Sequence, residues 1–233
     1  MATRVDRWQV NMPTSTLEEY LEAIYKLGQK GPVRPTQVAE AVGVSGPTVT
    51  ATLRRLEARE LVTRTPDGEV VLTERGLQSS LDIVRRHRIA ERFLVDVLGL
   101  DLSEAHEDAC LLEHALSPRV LAALETYLSS PAVCPHGYPI PTSDGNVAAV
   151  NGKPLCELER GESGIVLQVA EDDAAVLSYL ASLGLLPGAR VTVVDAAPFE
   201  GPLVVEVGGS RPAIAREIAA FVLMGGEGSK YEA

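Results

Sequence analysis

Three of the chain's four histidines, His87, His106 and His114, fall in one short stretch. His87 and Glu91 stand at i and i+4, and His106, Cys110, Glu113 and His114 at i, i+4, i+7 and i+8, so each set forms one stripe if its segment is helical. An imidazole, a thiolate, a carboxylate and a second imidazole in one row are costly to bury unpaired, and a divalent cation satisfies all of them. Taken singly, each residue reads as part of a mixed, half-exposed helix face, with Cys110 a small core residue. The row together with His87 and Glu91 reads as a metal site. HExxH is absent, and a two-cluster, carboxylate-rich set of nitrogen, oxygen and sulfur donors suits six-coordinate Mn(II) or Fe(II) better than tetrahedral structural zinc. No nucleophile or phosphate loop accompanies these residues, so an enzyme is not expected, and a metalloenzyme stands only as an alternative.

Apolar spacing supplies the elements that must carry this chemistry. Leu77, Leu81, Val84, Ile89, Phe93, Leu94 and Val97 recur at helical period from Thr73 to Gly99, and a second helix is predicted from Ser103 to near His114. Ahead of them, Ser15 to Glu18 reads as a capping box opening a helix that runs to Gly28. Two short helical stretches flank Gly43-Val-Ser45, at helix-turn-helix spacing, and LVTRT, a Pro66-Asp67-Gly68 turn and EVVLT follow as a hairpin. Helix, helix, helix, hairpin is the winged-helix order. Ser45, Gly46, Pro47, Thr48, Thr50 and Ala51 are small or hydroxyl-bearing groups that allow close approach to a DNA groove, Thr36 joins them on the DNA-reading face, and Arg54, Arg55, Arg59 and Arg64 would contact phosphates. The alternative is a metal-independent winged-helix protein whose arginines are a solvated face.

The 233 residues carry a net charge of −11, with a neutral segment over 1–75 and the excess acid over 76–150 and 151–233. Acidity counts against nucleic acid for the whole chain and not for its first third. Three scattered cysteines argue against a disulfide framework, no apolar run approaches a membrane span, and MATRVDRWQVNMP lacks an export signal, so a cytoplasmic protein with reduced thiols is expected. A Pro/Gly-rich row from Pro131 to Pro154 reads as a linker; Cys134 and His136 within it are extra donors or, more simply, a loop with a buried turn thiol. Beyond it, GIVLQV, ARVTVVD and PLVVEV alternate as strands, with helices predicted near Asp173 to Leu183 and Pro212 to Leu223: a small β-barrel.

The winged-helix pattern followed by VRRHRIAERFL, AHEDACLLEH and CPHGYPIP resembles the diphtheria-toxin-repressor family of iron- and manganese-dependent transcriptional regulators, over nearly the whole chain. LASLGLLPGARVTVV is similar to the SH3-like domain of that family and of ferrous-transport accessory proteins. The resemblance implies a mainly α chain with a small β part. It would comprise a winged helix-turn-helix over 1–75, a helical metal-binding and dimerisation domain over 76–154 with its linker from about 131, and an SH3-like β-barrel over 155–233. It implies a repressor that binds a palindromic operator as a metal-loaded homodimer, with two metal sites per subunit and neither a membrane nor an organic ligand as partner. By position, Glu19, Cys110, Glu113 and His114 match the activating site, with Glu22 a further acid, and His87, Glu91 and His106 match the ancillary one. Glu171 or Asp173 would add a C-terminal ligand. Glu19 stands where iron-type members have methionine and manganese-type members an acid, which leans toward Mn(II), whereas the retained Cys110 keeps Fe(II) in play. Arg88 matches an anion-binding position whose partner serine is here Cys134, so that anion site is expected to be lost.

Overall fold

The computed structural model describes residues 15–170 and 173–226. They fall into two compact units, divided between Val84 and Arg85.

In the first unit, helix α1 (Ser15–Gly28) repeats Leu17, Tyr20, Leu21 and Ile24 on one side and buries all four. α2 (Pro35–Val42) starts where the Gln37 side chain accepts the Arg34 N–H at 2.7 Å and stops at Gly43, whose φ of 69° an L side chain rarely adopts. α3 (Gly46–Ala58) has proline in its first turn and buries Val49, Thr52, Leu53 and Leu56. Strands β1 (Val62–Arg64) and β2 (Val70–Leu72) pair antiparallel with Arg64 opposite Val70, and the Thr65 carbonyl accepts from Gly68 at the turn between them. The expected helix-turn-helix and wing are therefore present. They share one apolar core, which includes Leu61, Val62 and Val70 from the wing and Ile83 from the next helix.

Helix α4 (Glu74–Arg92) contains the boundary between the units and runs on into a π-helical turn over Phe93–Val97. In the second unit, α5 (Leu102–Glu113) packs on the end of α4 through alanines, Ala105 and Ala109 meeting Ala90 and Leu94. Small side chains there let the two ligand-bearing helices approach closely. Next comes a helix that the sequence reading left unassigned, α6 (Pro118–Tyr127), whose first turn is capped by the Ser117 hydroxyl accepting from Val120 N.

The Pro/Gly row is not a free linker throughout. Cys134, His136, Gly137, Pro139, Ile140 and Pro141 are buried, and Val133 bridges Pro139. The C-terminal part is a six-stranded antiparallel sheet in the order β3-β8-β4-β5-β6-β7. Its strands are β3 (Lys153–Pro154), β4 (Ser163–Val169), β5 (Arg190–Ala196), β6 (Leu203–Val207), β7 (Ala213–Ile214) and β8 (Val222–Gly225). Alternating residues of β5, β6 and β8, with Val166 and Val169 on either side of the register shift in β4, point into one core with Leu177 and Leu180 of α7 (Ala174–Ser182). Among the described residues the two-residue end strands β3 and β7 do not pair, so these ladders give the expected antiparallel sheet without showing its closure. One expectation changes here. The helix expected from Pro212 to Leu223 shrinks to α8 (Arg216–Ala219) between β7 and β8, because its apolar residues serve the sheet.

Candidate metal centre and DNA-reading face

Four α4 and α5 side chains converge on His87, which is buried. Its Nδ1 lies 2.7 Å from Glu113 Oε2, and its Nε2 lies 3.0 Å from Glu91 Oε1 and 3.2 Å from His106 Nδ1. His106 Nδ1 is also 3.1 Å from Glu91 Oε1, and Cys110 Sγ is 3.8 Å from both His87 Nδ1 and His106 Nε2. The two sets that the resemblance separates, His87/Glu91/His106 and Cys110/Glu113/His114, thus meet at one imidazole. His114 stands at the margin, half-buried, with Nε2 3.4 Å from Glu113 Oε1.

A further arm arrives from the Pro/Gly row. His136, fully buried, puts Nδ1 3.4 Å from Glu91 Oε2 and 3.9 Å from Cys134 Sγ. His136 is the donor that the sequence reading set aside; a Cys and a His two residues apart in a CPHG turn were the available signal.

Charge in this cluster is held by mutual contact. Burial opposes a proton on His87, but contacts with Cys110, Glu113 and Glu91 outweigh it and hold the imidazole well above its ordinary 6.5. His106 is pushed up to about 9, chiefly by Cys110 and then by Glu91. Burial acts to raise Glu91, yet His106, His136 and His87 together keep its carboxyl well below the carboxylate range. Burial likewise raises the Cys110 thiol, and the two histidines bring it down below its ordinary value.

A cation fits this donor set. His87, His106 and Cys110 offer atoms within 4.8 Å of one another, as do Glu91, Cys134 and His136. His136 Nε2 is buried without a hydrogen-bond partner, and Glu91 Oε2 has the 3.4 Å ion-pair contact with His136 Nδ1 but no well-formed hydrogen bond; buried atoms of that kind are rare unless something else occupies their lone pairs. Two thiols, three imidazoles and two carboxylates make a softer set than the sequence reading assumed.

Glu19 is exposed on α1, whereas Glu18 and Glu22 are buried, Glu22 with Oε1 3.3 Å from Lys26 Nζ. Asp173 caps α7, its Oδ1 accepting from Ala175 N and Val176 N at 3.0 Å, and it joins no donor group among the described residues. Glu171 lies outside the described residues. Arg88, at the position whose anion site is expected to be lost, donates from Nη1 to the Pro139 carbonyl at 2.6 Å.

On the first unit, α3 leaves Ser45, Pro47, Thr48, Ala51, Arg54 and Arg55 exposed, and Thr36 is exposed on α2. Ser45 and Thr48 hydroxyls share a hydrogen bond of 2.8 Å. Thr50 instead turns its hydroxyl back onto the Gly46 carbonyl, and Arg64 is held by Glu57 at 2.6 Å.

Three family models match the chain: the iron dependent repressor N-terminal DNA binding domain over 12–70, the iron dependent repressor metal binding and dimerisation domain over 73–142, and the FeoA domain over 153–224. The chain is 34% identical over 227 residues to the iron-dependent repressor IdeR of Mycobacterium leprae, covering 91% of this chain and 98% of that one. It is 34% identical over 195 residues to the diphtheria toxin repressor of Corynebacterium efficiens, covering 77% and 83% respectively. Among solved structures, a manganese-dependent transcriptional repressor in complex with manganese superposes with a TM-score of 0.82 at 32% identity, over 89% of this chain and 98% of that one. ScaR with bound Cd2+ superposes at 0.77 with 31% identity, over 92% and 100%. No helix among the described residues is long and apolar enough to cross a membrane. With the domain order, the donor cluster and these relatives in agreement, the chain belongs to the diphtheria-toxin-repressor and IdeR family of iron- and manganese-dependent transcriptional repressors.

Proposed function

We propose that this metal-dependent DNA-binding repressor of metal homeostasis is activated by Mn(II), held by His87, Glu91, His106, Cys110 and Glu113 with Cys134 and His136 as further donors. The single observation that carries the reading is the convergence of these donors on Glu91 and His87, two buried residues on one helix. Fe(II) is the second reading, favoured by the softer thiols of Cys110 and Cys134 and by the names of the mycobacterial and corynebacterial relatives. Bound metal would supply positive charge among carboxylates that otherwise depend on protonated imidazoles. His114 and the exposed Glu19 complete the candidate ligands.

Three segments divide the work: 1–75 reads DNA, 76–154 binds metal and pairs subunits, and 155–233 supports the metal centre. Ser45, Pro47, Thr48 and Ala51 approach a palindromic operator, and Arg54 and Arg55 hold phosphates. Two copies pair through an apolar groove of about 440 Å³ in the second segment, lined by Phe93, Val97, Arg119, Val120, Ala123, Leu124 and Tyr127. Tyr127 is 69% exposed in a single chain, which favours a second copy as its cover. Linkage then requires DNA to raise metal affinity by the factor by which metal raises DNA affinity.

Fluorescence anisotropy tests this with a labelled duplex selected from a randomised pool by the Mn(II)-treated protein. Mn(II), anaerobic Fe(II) and Zn(II) are titrated separately. Operator binding that is equally tight after chelation would overturn the metal switch. Glu19→Ala and His114→Ala are expected to remain folded and to lose metal-dependent binding.

A further inference from the structure

The segment that brings Cys134 and His136 is held against α4 by a row of guanidinium groups. Arg85 Nη1 donates to the Pro141 carbonyl at 2.8 Å, Arg88 Nη1 to the Pro139 carbonyl at 2.6 Å, and Arg92 Nε to the Val133 carbonyl at 2.7 Å. Positions 85, 88 and 92 follow the 3, 4 spacing of one helix face, while His87 and Glu91 occupy the stripe beside it. The loop closes on itself through Cys134 N to Tyr138 O, Gly137 N to Cys134 O and Ile140 N to Ala132 O. The guanidinium of Arg88 also lies 5.1 Å from the Tyr138 ring centroid, and Arg85 pairs with Glu125.

From its other side the loop meets strand β4. Val169 N donates to the His136 carbonyl at 3.0 Å, and a Cβ at Gly137 would stand 1.8 Å from the Leu167 carbonyl oxygen. Both donors of the loop therefore sit in a span whose backbone is fixed at Val133, His136, Pro139 and Pro141. Arginines buried on carbonyls give up hydration for charge-assisted bonds, an arrangement that fixes a backbone more firmly than apolar packing alone.

We propose that Arg85, Arg88 and Arg92 are positioning residues for the metal centre, setting the 132–141 loop so that Cys134 and His136 face Glu91 before any cation binds. The inference rests on the reading of the cluster as a metal centre and adds the groups that hold two of its donors. Ordering the loop in advance removes that cost from metal binding, and groups of this kind typically tune affinity 10- to 100-fold.

The full chain, stripped by chelation, is examined by two readouts. The first is alkylation of Cys134, resolved from Cys110 and Cys156 by peptide mass spectrometry; the second is Co(II) titration followed by the thiolate charge-transfer band. Arg88→Gln is expected to speed Cys134 labelling at least about tenfold in the metal-free protein and to weaken Co(II) binding about 10- to 100-fold, with Arg88→Lys between it and the parent. Arg92→Gln, at the half-buried end of the row, should change both in the same direction and serves if Arg88→Gln does not fold. Gly137→Ala should behave like Arg88→Gln. Gly161→Ala is its control, because both glycines have φ of +89° but a Cβ at 161 meets nothing within 4 Å. Parent-like labelling and Co(II) affinity in Arg88→Gln, or in Arg92→Gln in its place, overturn the positioning role. If instead Cys134→Ser and His136→Ala leave the Co(II) titration and its spectrum unchanged, it is the metal reading of the loop that falls.

Discussion

Replacing Glu91 by Gln removes one negative charge from the centre of the cluster and changes little else in shape. Glu91 is fully buried, with imidazole nitrogens of His87, His106 and His136 at 3.0, 3.1 and 3.4 Å. Removing one member of a buried ionic group costs about 3–5 kcal/mol when the other is left charged. The His106 side chain is 24% exposed and can shed its proton, so the lower end, about 3 kcal/mol, is expected in the metal-free protein. For a chain of this size that corresponds to a drop in Tm of about 6–12 °C.

The penalty should depend on pH in a defined direction. His87 and His106 have raised values when folded, so their contribution is complete below the ordinary 6.5 and is lost as pH climbs through the folded value, about 9 for His106. Glu91 is depressed, so its contribution is present above the ordinary 4.5 and is lost as pH falls through its folded value. The difference between the parent and Glu91→Gln is therefore largest from about pH 5 to 6.5 and shrinks toward about pH 9. With Mn(II) present the variant also lacks a donor; a loss of about 100-fold in affinity would remove up to about 2.7 kcal/mol of metal stabilisation. Thermal melts of chelated and Mn(II)-saturated protein at pH 6 and pH 9 measure both effects. An equal Tm shift at the two pH values, or undiminished Mn(II) stabilisation of the variant, would refute the reasoning.

Metal uptake near neutral pH should release protons, from His87 and His106 above all, because a coordinated imidazole must be neutral and a coordinated thiol ionised; calorimetric titrations in buffers of different ionisation enthalpy read the number, and zero release contradicts the cluster's protonation. Val120→Asp places a carboxylate in the apolar groove and should shift the metal-loaded protein to monomer by sedimentation velocity while its far-ultraviolet dichroism stays unchanged; an undiminished dimer assigns pairing to another face. Arg54→Ala and Arg55→Ala should each weaken DNA binding about equally on all sequences and lower the salt slope by about 1, whereas Thr48→Ala should alter sequence preference; an unchanged slope removes the arginine from the phosphate set.

Local periodicity carries much of this protein in its sequence. The α1 face of Leu17, Tyr20, Leu21 and Ile24, the Gly43 break between α2 and α3, and the hairpin turn at Pro66 to Gly68 all depend on neighbours a few residues apart, so they were legible. The same holds for the stripes of His87 with Glu91 and of His106 with Cys110 and Glu113. Ser117 and Pro118, with Val120, Leu121 and Leu124, also mark α6, a helix ahead of the Pro/Gly row that the sequence analysis does not assign.

What required the tertiary structure is the meeting of separate segments. Helical spacing orders donors along α4 and along α5, but Ala105 and Ala109 packed on Ala90 and Leu94 bring Glu113 and Cys110 to His87 and merge two expected sites around one imidazole. His136 and Cys134 lie in a loop with no periodicity to read, and their approach to Glu91 depends on buried arginines and a backbone bond from β4. Asp173 shows the converse: its acid is legible in one dimension, and only the structure shows its Oδ1 capping α7 through two amide bonds. Sequence determined which donors exist and which helix faces carry them, because those depend on covalent geometry; packing alone decided which faces meet, because that depends on contacts between residues far apart in the chain.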